Sequence, residues 1–443
     1  MATGTPLPYA SPQTIADPVE PTRTEVGLAL AIAILFVVAT RWPVARIKPF
    51  EFDEFSFLGQ TAVHWFPMHH TLFMTFGRVL GLVAGEPYRG FILLDMLVSA
   101  LALVSVWWML RAIVRPATAA AATLVLGVGP VFWSYGAMAG NYTAIVVVGS
   151  LLLGIAYRGL SSPRAWQPLA ASVVLAIGTG YRQDIGIFWL PVFGVILWQH
   201  RWKPAITAGL LFTALNAAWL SAMLLEVGGW THYRAASAEF AHEAGYLNSV
   251  WNLGFTDGPL RYAVKLGMAL VGTLGPALFF VPRGAARLGR VDGGWFLGSL
   301  MVLSALPALG SHLLIHFGVA GYSFHYVPAL LALLVLGVSR SSATDCSALE
   351  SFPDSPARVL VGTATPRLIA IALVLVGMFW FYPTDYAQRG WRGSFDLSFC
   401  RFTRIGLKTP LPDHAPEYWR PANSRPLAGT PVRRPADSRA GAG

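Results

Sequence analysis

Apolar stretches close to the roughly 17 to 25 residues that cross a hydrocarbon core recur along this chain from Val26 to Tyr382, separated by short polar loops. Inside lipid every backbone N–H and C=O must be satisfied within the protein, so such a pattern permits a helical bundle and little else. Only 12% of the 443 residues are charged and 55% are hydrophobic, whereas an average soluble domain carries roughly 25% charge. The predicted fold class is therefore all-α: a polytopic membrane helical bundle of about eleven transmembrane helices. Spans are expected near 26–41, 89–110, 117–133, 141–157, 167–181, 185–199, 205–227, 263–282, 294–315, 322–339 and 367–382. A polar N-terminal segment, 1–25, precedes the bundle of 26–383, and a Pro/Arg-rich tail, 384–443, follows it. The N-terminal segment lacks the basic start and small-residue cleavage site of a signal peptide.

The formal charge of +10 would point to nucleic acid in a soluble protein. Here the arginines sit in loops between apolar runs and read as topology signals, so no nucleic-acid partner is expected. An N-terminus on the inner face puts Arg111/Arg115, Arg158/Arg164, Arg201/Lys203, Arg283/Arg287/Arg290 and Arg340/Arg358/Arg367 inside, as the positive-inside rule requires. The acids segregate oppositely: Glu51, Asp53, Glu54 and Glu86, then Asp184, then Glu226, Glu239, Glu243 and Asp257 all fall outside. Arg41, Arg46 and Lys48 run against the rule. The stretch 71–85 decides the topology, because a crossing there would invert everything after it. Its short length and the Gly77-Arg78 interruption predict a re-entrant or interfacial helix. Cys346 and Cys400 stand far apart without a CxxC or Cys/His cluster, which supports neither a disulfide framework nor a structural zinc site.

Chemistry is expected in the outer loops. Loop 42–88 gathers the acidic pair Asp53-Glu54, three histidines (His64, His69, His70) and many aromatics at a membrane surface. Apolar neighbours desolvate a carboxylate and raise its proton affinity toward general-base strength; the competing reading is a pair of solvated interfacial acids. The histidine spacing matches no metal signature. In "GYRQD", Arg182 and Asp184 fall at the outer end of a span, where charge is costly and functional by default; a local ion pair capping a turn is the alternative. His312 and His316 lie at i, i+4 with no accompanying HExxH glutamate, which predicts satisfied interfacial histidines that support the cavity and hold no catalytic metal. Loop 228–262, with Tyr233-Arg234 and the aromatics from Tyr246 to Trp251, has the length of a functional lid. The "NYT" sequon at Asn141 abuts a span and reads as chance.

The order of these motifs resembles the GT-C superfamily of membrane glycosyltransferases, and within it the protein O-mannosyltransferase-like branch. The resemblance rests on "EFDEF" (Glu51 to Phe55), "PMHHTLF" (Pro67 to Phe73) with "TFGRVL" (Thr75 to Leu80), and "PVFWSYGAMAGNYTA" (Pro130 to Ala144). "GYRQD" and "HFGVAGYSFHYVPALL" are similar to later elements of bacterial members. It implies a GT-C-like bundle that moves a sugar from a polyprenyl-phosphate carrier to a hydroxyl acceptor on the non-cytoplasmic face of a bacterial inner membrane, with a protein, glycan or glycolipid as acceptor. Carried over, Asp53 or Glu54 becomes the base, and His70 and Arg78 match the family histidine and arginine. Thr71 replaces a proline, and Gly140 stands where relatives often keep a glutamate, so no metal or other cofactor is committed to. A departing phosphate needs positive or hydrogen-bonding groups, for which Arg182, His70, Arg234 and His316 are the candidates; Asp184 and Tyr322 complete the expected substrate-binding set. The rival readings are a transporter or lipid flippase, against which no internal repeat appears, and a membrane hydrolase or acyltransferase, for which neither GxSxG nor HExxH is present.

Overall fold

The computed structural model describes residues 20–42, 52–255, 257–290, 293–339 and 364–381. Both cysteines, most of the N-terminal segment, Arg46, Lys48 and Glu51, Arg340 and Arg358, and the C-terminal tail lie outside the described residues. Within α2 (Phe52–Val63), the backbone of Asp53 and Glu54 is described and their side chains are not.

Each expected span coincides with helix. α1 is Arg23–Arg41, α3 Thr71–Ala84, α4 Pro87–Leu110, α5 Pro116–Gly127, α6 Pro130–Tyr135, α7 Thr143–Ser161, α8 Trp166–Tyr181 and α9 Gln183–Trp198. The chain continues with α10 Trp202–Glu226, α11 Trp230–Phe240, α12 Val250–Leu253, α13 Asp257–Leu274, α14 Val281–Ala285, α15 Gly294–Leu314, α16 Val327–Val338 and α17 Ala364–Phe381. Six are long and apolar enough to cross a bilayer alone: α1, α4, α7, α10, the 258–285 stretch and α15. The expected continuous span 117–133 breaks into α5 and α6. Pro130 has no N–H to continue the helix, and Gly129 packs so closely that an added Cβ would lie 2.1 Å from the Thr273 carbonyl oxygen. Loop 228–262 does not span, as expected, but it is largely helical, folding into α11, the short turns 241–248 and α12.

One ion pair settles the question left by 71–85. Arg111, just past the end of α4, lies 3.4 Å from Glu25 in the first turn of α1. The start of α1 and the end of α4 therefore share a face, and the segment between them leaves and returns at the other. Any crossing by α3 would have to be undone before α4, so the downstream orientation does not flip. Instead α3 folds back on α4 through glycines: a Cβ on Gly90 would stand 2.2 Å from the Gly77 oxygen and the Gly81 nitrogen. Small residues at such contacts let helix backbones approach where lipid offers no hydrophobic drive to associate.

Arginines expected on the inner face cap and tie helix ends. Arg158 donates to the Trp108 carbonyl at 2.6 Å, Arg287 to that of Leu336 at 2.9 Å and Arg367 to that of Val338 at 2.9 Å. Cations near helix C-termini satisfy orphan carbonyls and oppose the helix dipole. This arrangement predicts the outcome of thiol labelling in oriented vesicles, once the two native cysteines are replaced by serine. Cysteines at Gln60, Gly245 and Gly318 should label from the face that carries the acids, and those at Arg115 and Arg201 from the opposite face. A reversed or mixed pattern within either set would overturn the topology.

Candidate functional site at the outer rim

The site is built on the turn between α8 and α9. Arg182 ends α8 in an extended conformation, and its guanidinium forks onto the Asp184 carboxylate, with Nε to Oδ1 at 3.0 Å and Nη2 to Oδ2 at 2.9 Å. Nη1 donates to the side-chain oxygen of Asn141. Only 3% of the Arg182 side chain is exposed. Its plane lies over the Tyr142 ring, 4.0 Å from the centroid, with Tyr322 on a second side at 5.4 Å. A planar fork satisfying two partners while stacking on aromatics is what arginine does and lysine cannot. The predicted local ion pair is thus real, and it is also the hub of the rim.

Three further elements converge on this hub. Asp95, fully buried in α4, accepts the backbone N–H groups of Gly140 at 2.7 Å and Asn141 at 3.1 Å through one oxygen. That grip holds Asn141 in a left-handed conformation, φ 49°, with its side chain directed at Arg182. From the far side of the bundle, His325 places Nε2 3.5 Å from Asp184 Oδ2, while its Nδ1 accepts from the Trp189 indole at 3.3 Å. From the first outer loop come His69 and His70, both left-handed, with φ 60° and 47°. His69 lies beside the side chain of Gln183 and His70 beside the backbone of Tyr181. Phe57 of α2 meets the His70 ring edge-on at 5.7 Å and Phe73 of α3 at 5.2 Å.

Burial, reinforced by the charge of Arg182, pushes His70 down to about 3, so it is neutral at physiological pH. An unfolded histidine titrates near 6.5. Below that value the unfolded chain binds a proton that the folded chain refuses, and stability falls as pH drops from about 6.5 toward 3. Replacing His70 by asparagine, which tolerates the left-handed backbone, should remove this share of the slope. Thermal melting of both proteins between pH 4 and 7 checks it; parallel curves would contradict the assignment.

The second cluster lies where α13 faces the turn after α15. His316 meets the Tyr262 ring at 6.1 Å and the Tyr322 ring at 6.3 Å. Burial and then the nearby Lys265 and Arg261 push His316 down to about 4. Arg261 and Lys265 stand at i, i+4 on one face of α13 and make no ion pair with any described carboxylate. Like charges at that spacing repel, which suits a site that receives an anion. His312, one turn before His316, is buried behind it: its Nδ1 is 2.8 Å from the Tyr326 hydroxyl, and its ring meets those of Tyr322 at 5.2 Å and His325 at 5.8 Å. Among the described residues no group of three or more His, Cys, Asp or Glu stands ready to hold a metal ion.

His70, Arg182, Asp184 and Tyr322 are therefore brought together, with His316 beside Tyr322. Arg78 stands apart. Its guanidinium stacks 3.9 Å over the Trp65 ring and donates to the His64 carbonyl at 2.8 Å, bracing the loop. Arg234 is exposed on α11. Sequence reading missed Asp95, Asn141, His325, Arg261 and Lys265. The first carried a signal, since an acid in the apolar run "FILLDML" is costly without a partner, and Asn141 was set aside as a chance sequon.

The class the fold defines is a polytopic helical membrane bundle. Two solved structures share its fold: ArnT from Cupriavidus metallidurans bound to undecaprenyl phosphate, with a TM-score of 0.55 and 14% identity over 87% of this chain and 75% of that one, and the same protein in its apo state, with 0.53 and 14% over 86% and 74%. An oligosaccharyltransferase from Archaeoglobus fulgidus, in complex with Zn and sulfate, matches with a TM-score of 0.44 and 14% identity over 84% of this chain and 57% of its own. By sequence, no family model and no curated protein matches the chain.

Proposed function

We propose that this protein is a membrane glycosyltransferase that moves a sugar from a polyprenyl-phosphate carrier to a hydroxyl acceptor, at the outer face of a bacterial cell membrane and with inversion. The observation that carries the reading is the convergence of the histidine pair of loop 42–88 with the Arg182–Asp184 hub, beside an Arg261/Lys265/His316 cluster that pairs with no described carboxylate. The fold is that of a protein solved with undecaprenyl phosphate bound. In the reaction, the acceptor oxygen bonds to the anomeric carbon as the bond from that carbon to the phosphate oxygen breaks. The acceptor proton passes to Asp53, with Glu54 as the alternate base, and the electron pair leaves with the polyprenyl phosphate. Attack opposite the leaving group inverts the centre. Arg261, Lys265, His316 and Tyr322 receive the departing phosphate, and His70 and the Arg182–Asp184 pair shape the floor beneath the sugar. A protein, a glycan and a glycolipid all suit as acceptor.

The base is assigned from the sequence pattern of loop 42–88; among the described acids of this face, Asp95, Asp184 and Glu226 accept backbone N–H groups or arginine and Glu86 pairs with Arg89. The test is reconstitution in liposomes with a radiolabelled undecaprenyl-phosphate sugar and a hydroxyl acceptor mixture. Label should move into the acceptor fraction with loss of the lipid-linked form. Label that crosses the bilayer while still attached to its lipid, with no transfer, would replace the enzyme by a flippase.

A further inference from the structure

We infer that Glu226 is a positioning residue for the proposed transfer: its carboxylate holds the 64–66 corner, and through it the left-handed histidine pair, over the α8–α9 turn. Glu226 is the last residue of α10, 160 positions from the loop it touches. Its Oε1 accepts the Trp65 backbone N–H at 2.5 Å and its Oε2 that of Phe66 at 2.6 Å. One carboxylate therefore grips two successive peptide groups, the same device by which Asp95 grips Gly140 and Asn141.

The corner is pinned from other directions as well. Thr75 donates to the Trp65 carbonyl at 2.8 Å, and Arg78 both stacks on Trp65 and donates to the carbonyl of His64. Such pinning answers a need. Two consecutive non-glycine residues, His69 and His70, sit in the left-handed region, a state that persists only where the surroundings over-determine it. Thr75 and Arg78 belong to α3, immediately after the strained pair, and move with it. Glu226 is the tie that fixes the corner to a different span. Beyond it, Gly228 and Gly229 have φ of 92° and 88°, so glycines carry the left-handed turn from α10 into α11.

This role rests on the glycosyl-transfer reading, and two measurements on the protein in lipid nanodiscs keep the two separable. Hydrogen exchange of peptides covering 64–70 reads the clamp directly. In Glu226→Ala the Trp65 and Phe66 amides should exchange about 10- to 100-fold faster, while peptides from α7 stay as in the parent. Transfer kinetics on the monodisperse fraction should show kcat lowered about 10- to 100-fold, as for a misplacement of about 1 Å, with donor KM within about 3-fold. Glu226→Gln, which keeps one well-placed acceptor oxygen, should fall between. Faster exchange with unchanged kcat would make the clamp merely structural and overturn the role, and so would unchanged exchange. A parent protein without transfer activity overturns the enzyme reading instead; the exchange at 69–70 then decides the clamp alone, and unaltered protection there sinks it.

Discussion

An Asp53→Asn variant is expected to lose about 10²- to 10⁴-fold in turnover, the usual worth of general-base assistance, while folding and binding the lipid-linked donor as the parent does. The amide keeps the shape of the carboxylate and removes its basicity. The two acids are adjacent in α2, about 100° apart round the helix, so one of them serves as the base; with Asp53 in that role, Glu54→Gln should cost less. The measurement is single-turnover transfer at saturating donor, with donor affinity taken separately. If both amide variants transferred sugar at the parental rate, the acidic pair would be structural and the site would lie elsewhere.

Arg182→Met is expected to destabilise the folded protein by about 3 to 5 kcal/mol, the cost of leaving a buried partner charge uncompensated. The orphan would be Asp184, whose two oxygens both accept from this one guanidinium, and Asn141 would lose the donor its side chain faces. Arg182→Lys does not rescue, because an ammonium cannot fork onto Asp184 and reach Asn141 together. A double variant, Arg182→Met with Asp184→Leu, separates stability from function. Replacing a buried ion pair by apolar residues of similar volume is often neutral or stabilising, so the double variant should melt near the parent and still fail to transfer. Thermal unfolding in detergent, followed by the monodisperse fraction on size exclusion, reads the first quantity, and the liposome assay the second. A double variant with parental activity would show that the pair serves only the fold.

Much of the bundle was legible in the chain because a hydrocarbon solvent allows so little. Span positions follow from apolar length, and the sidedness of Arg158, Arg287 and Arg367 from charge. The break at Gly129-Pro130 was missed because hydropathy is blind to a missing N–H. The helical content of 228–262 was missed for a similar reason: that loop is too polar for a span-length signal, and its pieces are too short to show a period. At the site, "GYRQD" betrayed itself because an arginine and an aspartate two residues apart at a span end must answer to each other or to a ligand. His70 and Tyr322 were found through motif resemblance, and nothing in their local sequence says that they approach Arg182.

What the sequence determined by itself is the architecture: helices of span length joined by short polar loops, with an aromatic, histidine-bearing loop between two of them. Tertiary structure alone decided who meets whom there. Asn141 reaches Arg182 across 41 positions, Trp189 reaches His325 across 136, and Glu226 reaches Phe66 across 160. The physical reason is that lipid is as apolar as leucine, so hydropathy fixes how deep a residue sits and leaves open which helix lies beside it. Lateral neighbours are chosen by close contacts such as Gly90 against Gly77 and by buried polar groups that must find partners, and both exist only once the helices have packed.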